Sequence, residues 1–578
     1  MRKINAKSKT SNKQSFMLGA TIMTFCLLIV KVIGMLYKVS LSNLYGAVGA
    51  GLLGNAYELY IPLFTLATAG FPIAVSRMIS ESMSSGRYKD VRRIKDVAIP
   101  FFVIAGTIAL LLMVLFSFFY VRIIDAPGSF VAILVLAPAI FFGCLVSAYR
   151  GYYEGMRNMV PTSISEIVEA FVKLLVGYSF AAFVMKYGTQ LFGIQDNYTL
   201  IKWSVAAAIS GITLGSFFSF LYIWLRFKRE GDGITEEMLK NSPRPRTKKE
   251  TFRILLRTAI PIGLGALIMS IAGTVDAALI QRRLITMMER TPDLLLMQYP
   301  GLIPDDILQR GKVHTYLWGC YNYALTIMNL VVTVTQAFGT TALPNVTNAF
   351  MKGNKEYLRQ SIETVMRVTF VFTIPAGLGL TVLANPIMHL IYGYKPDVDV
   401  SVEILRLMGI AVIVFAAATP MCSMLQAIGR IDMPLKLYAL GMVIKVVSNY
   451  IFVGIPQINV QGGSIGTLLC YTFVMIVSVY VLVNETKIVP DFRVVVIKPA
   501  VSAIICITAS GLLYKLLSGM LAPGRTNALI ITVACVITAC VVYVLFLLLL
   551  RAITKDDILM LPKGNKIVTI LEKYRLIR

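Results

Sequence analysis

Long apolar runs, separated by short polar stretches, recur along the whole chain. Most of them reach the roughly 20 residues that an α-helix needs to cross the hydrocarbon core of a bilayer. The pattern predicts fourteen membrane-spanning helices, near residues 16–37, 50–80, 98–120, 129–149, 163–185, 203–225, 258–281, 315–345, 365–391, 402–425, 437–454, 463–483, 499–517 and 527–550. The predicted fold class is therefore all-α, a polytopic membrane protein of about fourteen transmembrane helices.

An even number of spans places both ends of the chain on one side, and the basic residues indicate which side. The loops on the side of the termini hold 37 Lys and Arg residues, whereas the opposite loops hold 11. Because basic loops stay in the cytoplasm, both termini are predicted to be cytoplasmic. No small-residue cleavage site follows the first apolar run, so we expect that run to be a retained span.

The two halves of the chain resemble each other. An offset of 267 residues aligns Thr68 with Thr335, and an offset of 274 aligns Gly155 with Gly429, each within a longer similar stretch. Six helices return the chain to the same side, so the pattern predicts two parallel six-helix repeats that form a two-lobed bundle. A basic, proline-containing segment between them has the composition of a linker.

These features predict four regions. They are an N-terminal six-helix lobe at 1–228, a cytoplasmic linker at 229–252, a C-terminal six-helix lobe at 253–486, and two extra helices with a basic cytoplasmic tail at 487–578.

Composition supports a membrane protein and excludes several other classes. The chain has 578 residues, of which 57% are hydrophobic, and a net charge of +25. In a membrane protein this charge indicates cytoplasmic loops that face anionic lipid, so no nucleic-acid partner is predicted. The eight cysteines form no C-x-x-C pair, only two histidines are present, and the phosphate-binding G-x-x-x-x-G-K-[ST] motif is absent. No enzyme, metal centre, cofactor or ATP-driven pump is predicted.

Seven basic residues fall inside the predicted spans, where a charge is costly and usually faces a polar interior or a partner. Lys31 and Lys38 are seven residues apart and share one helical face, with Gly34 between them. The alternative for Lys38 and Arg77 is that they reach the membrane interface from a helix end. The candidates for substrate binding are Lys31, Lys38, Arg77, Lys173 and Lys445; Arg367 and Arg406 are expected to be interfacial.

The acidic residues inside the spans are candidates for coupling or gating. Glu58 lies four residues before Pro62, at an expected helix kink, and is favoured as an ion-pair partner of Lys31 or Lys38. Glu169 has the spacing to pair with Lys173 within one helix, which would make it structural. Ser163-Ile-Ser-Glu166 fits a helix capping box.

The repeat adds a third acidic candidate for coupling or gating. Asp276 occupies nearly the place of Lys38 in the second repeat, and Lys445 falls near the equivalent of Lys173. An acid and a base at related positions would suit a gate that closes by ion pairing. The charges together predict a secondary transporter whose central site prefers an anionic substrate, because lysine binds phosphate as a point charge.

Five stretches carry a family resemblance. They are K-V-I-G-M-L-Y-K at 31–38, A-T-A-G-F-P-I-A-V-S-R-M-I-S-E at 67–81, R-G-Y-Y-E-G-M-R-N-M-V-P-T-S-I-S-E-I-V-E at 150–169, A-L-P-N-V-T-N-A at 342–349 and M-L-Q-A-I-G-R-I-D-M-P at 424–434. In these stretches the chain resembles the multidrug/oligosaccharidyl-lipid/polysaccharide exporter superfamily. Within it, the chain is similar to polysaccharide biosynthesis proteins of the stage V sporulation protein B and YtgP type, which are related to the MurJ lipid II flippase.

The resemblance implies a flippase of the bacterial plasma membrane, working without ATP hydrolysis. Its substrate would be an undecaprenyl-pyrophosphate-linked cell-wall precursor, either lipid II-like or a polysaccharide repeat unit. Lys31 matches a basic position in the first span of flippase relatives, and Lys38 matches a second one with a one-residue shift. The second span departs from the arginine-rich pattern of these relatives and reads L-Y-I-P-L-F-T-L. The two extra helices are implied to line a groove for the lipid tail.

Two other functions remain open at the level of sequence. A cation-coupled multidrug exporter of the same fold would use a coupling ion and carboxylates such as Glu58 and Asp276. A membrane scaffold would bind cell-wall synthesis enzymes through the basic stretches 226–257 and 551–578. The expected partners of the flippase itself are the lipid-linked oligosaccharide and membrane lipids.

Overall fold

The computed structural model describes residues 16–552, and the long regular elements in that range are α-helices. The part of the predicted basic tail from residue 553 onward lies outside the described residues. Eighteen helices follow one another within that range: α1 (Phe16–Thr68), α2 (Phe71–Ser84), α3 (Tyr88–Ile123), α4 (Ser129–Gly155), α5 (Val160–Phe192), α6 (Asn197–Glu230), α7 (Glu236–Lys240), α8 (Lys248–Arg290), α9 (Pro292–Leu296), α10 (Asp305–Gln309), α11 (Val313–Met351), α12 (Lys355–Val382), α13 (Ala384–Tyr392), α14 (Pro396–Ala427), α15 (Asp432–Phe452), α16 (Gly462–Thr486), α17 (Lys498–Met520) and α18 (Arg525–Leu549).

Thirteen stretches of the described chain are long and apolar enough to cross a membrane. Twelve of them coincide with twelve predicted spans. The remaining stretch, Phe25–Ser84, is 60 residues long and includes most of the first two predicted spans. At 1.5 Å per residue, 60 helical residues extend about 90 Å, which is enough for two crossings. The predicted class, an all-α polytopic membrane protein, is confirmed.

Helix α1 is divided at Gly46. Its φ of 69° and ψ of −170° are not helical, and this combination is open to glycine but not to side-chain-bearing residues. The break frees the N–H of Ala47, which donates to Asp397 Oδ2 at 3.0 Å. The hydroxyl of Tyr323 donates to the same oxygen at 3.1 Å. A carboxylate from α14 therefore caps the second part of α1.

The chain forms two compact units, Met1–Leu44 with Asn55–Thr274, and Tyr45–Gly54 with Val275–Arg578. We call them the first unit and the second unit. In the first unit, α4 packs against α2, α3 and α6, and α5 packs along α6. Gly211 lies directly against Gly177, and Gly215 against the carbonyl of Glu169, so α5 and α6 approach closely.

The second unit is organised around α14, which packs against α11, α12 and α16. Helix α15 packs along α16, and the pair α17 and α18 joins this unit through contacts of α17 with α12. The order of contacts repeats that of the first unit: α14–α16 corresponds to α4–α6, and α15–α16 corresponds to α5–α6.

The stretch predicted to be a linker is bound to the start of α3 within the first unit. The N–H of Arg246 donates to Asp90 Oδ1 at 2.7 Å, and the N–H of Lys89 donates to Ser242 Oγ at 3.0 Å. Asp90 is only 2% exposed and also accepts from Arg87 Nε at 2.6 Å. The predicted boundaries of the lobes stay a prediction.

Candidate functional site

Two lysines of the first unit lie over the same tyrosine ring. Lys38 of α1 has its Nζ 5.4 Å from the ring centroid of Tyr57, and Lys173 of α5 has its Nζ 5.3 Å from that centroid. Lys173 Nζ is also 4.8 Å from the ring centroid of Tyr37. Cation–π contacts of this kind are worth about 0.5–2 kcal/mol, depending on how far water is excluded. The ammonium groups of α1 and α5 thus share one aromatic ring.

The aromatic rings of this site are held by the surrounding helices. Tyr37 is fully buried, and its hydroxyl donates to the carbonyl of Ala208 on α6 at 2.9 Å. Gly177 of α5 leaves the space that this ring fills, since a Cβ there would overlap it. Tyr57 makes an edge contact with Tyr60 at 6.5 Å between centroids. The ring of Tyr37 is therefore held by α5 and α6, whereas that of Tyr57 packs against Tyr60 of its own helix.

Other charges act on this lysine pair. The positive charges of Lys173 and Lys31 repel the ammonium of Lys38, and the negative charge of Glu58 attracts it. Lys31, Lys38 and Lys173 formally carry three positive charges against one negative charge on Glu58, and the nearby Glu169 is already paired with Arg150. A small anion would relieve the repulsion between the ammonium groups, whereas a cation would increase it. The site is therefore chemically suited to an anionic group.

The helix kink expected at Glu58 and Pro62 is not present. Helix α1 keeps helical torsion angles there and is broken at Gly46 instead. Proline has no N–H, so the carbonyl of Glu58 cannot accept its usual bond from residue 62. The hydroxyl of Thr274 on α8 donates to this carbonyl. The neighbouring Gly273 leaves space for the carboxylate of Glu58.

Glu169 is bonded by groups of other helices. Arg150 Nη2 of α4 donates to Glu169 Oε2 at 3.0 Å, and Ser216 Oγ of α6 donates to Glu169 Oε1 at 3.1 Å. Arg150 Nε also donates to Ser165 Oγ at 2.9 Å. The expectation that Lys173 would pair with Glu169 overlooked this arginine, which lies in the span rather than in the following loop.

The predicted capping box at Ser163 is wrong. Helix α5 already begins at Val160. Its N-cap residue is Met159, whose side chain makes no capping hydrogen bond. Glu166 instead lies 3.9 Å from Arg150 Nη1.

Asp276 and Lys445 form an ion pair within the second unit. Their side chains are 11% and 12% exposed, and Asn449 Nδ2 donates to Asp276 Oδ1 at 2.8 Å. The ammonium of Lys445 is thus already neutralised by a carboxylate, which favours gating over substrate binding for this residue.

The remaining predicted basic residues, Lys31 and Arg77, are exposed on α1 and α2. Lys31 acts electrostatically on both Lys38 and Glu166. The structure brings Lys31, Lys38, Lys173, Glu58 and Glu169 into one region of the first unit. Sequence reasoning missed Arg150, Tyr37 and Tyr57; the first two lie within motifs that carried the family resemblance.

No group of three or more metal-ligating side chains occurs among the residues that the structure describes.

Comparison with known proteins finds one family match in each half of the chain. Residues 17–288 match the family described as polysaccharide biosynthesis protein, and residues 307–535 match the family described as lipid II flippase MurJ. The lipid II flippase MurJ of Bacillus subtilis (strain 168) is 23% identical over 473 residues, which cover 79% of this chain and 82% of that protein. Stage V sporulation protein B of the same organism is 20% identical over 565 residues, covering 96% of this chain and 99% of that protein.

Two solved structures share the fold. One is an inward-facing multidrug resistance MATE family transporter of the MOP superfamily, with a TM-score of 0.62 and 14% identity, covering 82% of this chain and 99% of that one. The other is lipid II flippase MurJ in an inward closed conformation, with a TM-score of 0.57 and 14% identity, covering 91% of this chain and 98% of that one. The chain is a multi-pass membrane protein with this transporter fold.

Proposed function

Since the chain is a relative of the polysaccharide biosynthesis proteins and lipid II flippases of the MOP superfamily, we propose that it is a flippase for an undecaprenyl-pyrophosphate-linked cell-wall precursor. It acts in the bacterial plasma membrane by alternating access. The observation that supports this most strongly is the convergence of Lys38 and Lys173 on the ring of Tyr57.

The pyrophosphate binds to the ammonium groups of Lys38 and Lys173 beside the ring of Tyr57. Each phosphoryl group accepts charge-assisted hydrogen bonds from one lysine, and such bonds are roughly twice as strong as neutral ones. The rings of Tyr37 and Tyr57 supply apolar faces beside the charges, which suit the first sugar or the first prenyl unit. Lys31 adds positive charge at the same side of α1.

The membrane potential drives the unloaded site back to the side of the membrane where substrate binds. The site carries net positive charge without substrate, and each elementary charge that crosses the membrane is worth about 2.3 kcal/mol per 100 mV. No ATP hydrolysis is needed for such a cycle.

Substitution of the lysines tests the proposal. In cells depleted of their own lipid II flippase, we expect Lys38→Ala and Lys173→Ala to lower precursor flipping about tenfold or more, because a charge-assisted bond is lost. Lys186→Ala, at the exposed far end of α5, is the matched control and should flip normally. Flipping is measured as the fraction of lipid-linked precursor accessible from outside the cell.

Normal flipping by both lysine variants would exclude the lysine pair as the pyrophosphate site. Lys31→Ala is assayed in parallel, and full activity of that variant would remove Lys31 from the mechanism.

A multidrug exporter is the second candidate, because the fold is shared with a MATE family transporter. Its substrates would be cationic amphiphiles bound at carboxylates such as Glu58. The predicted spans hold seven basic residues against five acidic ones, which disfavours cationic cargo. Drug-resistance profiles of Glu58→Gln separate the two functions. If the protein is an exporter, the variant confers less resistance than the wild type; if it is a flippase, neither protein confers resistance.

A further inference from the structure

Helices α1 and α8 are linked at a backbone carbonyl that cannot accept a helical hydrogen bond from Pro62. That carbonyl belongs to Glu58, and it accepts a hydrogen bond from the hydroxyl of Thr274. An unsatisfied carbonyl at this depth would cost free energy, so the bond stabilises the local arrangement of both helices.

The residue before Thr274 contacts the side chain of the same glutamate. A Cβ added at Gly273 would overlap Glu58 Oε2, so glycine provides the space that this carboxylate fills. Two consecutive residues of α8 thus contact Glu58, one at its backbone and one at its carboxylate. Neither contact depends on Lys38 or Lys173.

Glu58 is also the acidic residue whose charge acts on Lys38. Among the charges that act on Lys38, those of Lys173 and Lys31 repel it and that of Glu58 attracts it. The Glu58 carboxylate would therefore compete with an arriving anion for Lys38.

We infer that Gly273 and Thr274 are positioning residues that hold Glu58 as the built-in counter-anion of the lysine pair. The inference rests on the proposed function, because it assigns Glu58 a role in competition with a pyrophosphate. An arriving pyrophosphate competes with a carboxylate that α8 keeps in place, and this competition weakens binding and assists release.

The hydrogen bond between Thr274 and Glu58 is tested by hydrogen–deuterium exchange on the purified full-length protein. Thr274→Val removes the hydroxyl and keeps the shape. We expect the amides of residues 58–66 to exchange about fivefold faster, the effect of one lost hydrogen bond. Thr274→Ser should restore the wild-type rate. Thr107→Val is the matched control, since its hydroxyl donates only within its own helix, to Val103 at 2.8 Å.

Unchanged exchange in Thr274→Val, or failure of serine to restore the rate, would show that this hydrogen bond does not stabilise the two helices. Gly273→Ala provides a second test, because the added methyl group must displace the Glu58 carboxylate. This variant should accelerate exchange in the same segment. Unchanged exchange there would show that Gly273 does not position Glu58.

The counter-anion role is tested with farnesyl pyrophosphate as the probe. We expect Thr274→Val to tighten its binding about threefold in the wild-type background and to have no effect in the Glu58→Gln background. An equal effect in both backgrounds would refute the role of Glu58. If the wild-type protein does not bind the probe, the proposed function fails, while the exchange experiment still decides whether Thr274 positions Glu58.

Discussion

Two positions that the repeats make nearly equivalent carry different charges in the two units. In the first unit they hold two bases, Lys38 and Lys173, and both lie over the ring of Tyr57. In the second unit they hold Asp276 and Lys445, which form an ion pair. An acid in place of a base thus distinguishes an ion pair in the second unit from two lysines that share a ring in the first.

The ion pair of the second unit predicts a specific stability pattern. Asp276→Asn removes one partner and leaves the ammonium of Lys445 buried without its carboxylate. We expect a loss of about 3 kcal/mol in the free energy of unfolding, as for other buried pairs that lose one partner. Thermal unfolding of the purified protein in detergent measures this loss.

The double variant Asp276→Asn with Lys445→Met is the control. It removes both charges, so it should regain more than half of the lost stability. If the double variant is less stable than the single variant, the cost does not come from an uncompensated charge.

Arg150 predicts a second effect at the scale of single residues. Arg150→Gln loses hydrogen bonds to Glu169 and Ser165 and should cost about 2 kcal/mol in the free energy of unfolding. Arg406→Gln is the matched control, since Arg406 Nη1 lies 2.7 Å from Glu403 Oε1 in an exposed pair and should cost no more than about 0.5 kcal/mol. Equal shifts in the unfolding temperature would contradict the structural weight given to Arg150.

At the scale of helices, the break in α1 separates two functional segments. The part before Gly46 carries Lys38, and the part after it carries Tyr57. The capping bond from the N–H of Ala47 to Asp397 fixes the start of the second part. We expect the contact between Lys38 and Tyr57 to depend on the break, because the two residues lie on opposite sides of it in the sequence.

Substitution of Gly46 tests this dependence. Gly46→Ala forces a side-chain-bearing residue into a torsion region that costs about 1–3 kcal/mol, so we expect lower thermal stability and weaker flipping. Gly34→Ala lies in the same helix, where an added Cβ meets no atom within 4 Å. It should be neutral or stabilising by up to about 1 kcal/mol. Similar losses in both variants would show that the break is not the sensitive point.

Most helices could be predicted from apolar run length alone, because lipid forces each crossing to be helical. The structure extends many of them beyond the apolar runs: α3 begins at Tyr88 rather than near residue 98, and α8 begins at Lys248 rather than near 258. These additions are polar helical turns, which hydropathy does not mark. The short helices α9 and α10 escaped prediction for the same reason.

At the scale of the molecule, the distribution of charge predicts topology. We expect a cysteine in place of Lys186 to react with a membrane-impermeant maleimide added outside intact cells, and a cysteine in place of Lys240 to react only after permeabilisation. A background without the native cysteines is required. The reverse labelling pattern would place both termini outside.

Long-range partners limit how much of the candidate site the sequence could predict. The charged residues inside the spans were identifiable because charge is rare there. Their partners were not: Tyr37 bonds Ala208, 171 positions away, and Asp276 is bonded by Asn449, 173 positions away. Local spacing favoured Lys173 as the partner of Glu169, whereas tertiary packing supplied Arg150.

The division of α1 also has a consequence for biogenesis. Residues 45–54 are made early, yet they belong to the unit whose other members follow residue 274. Gly319, which packs against the carbonyl of Ala47, leaves the ribosome only after some 265 further residues. At 5–20 residues per second this takes on the order of 10–50 s. During that time the segment waits in the membrane for its partners, so the second unit can complete its fold only around a piece of chain that was inserted first.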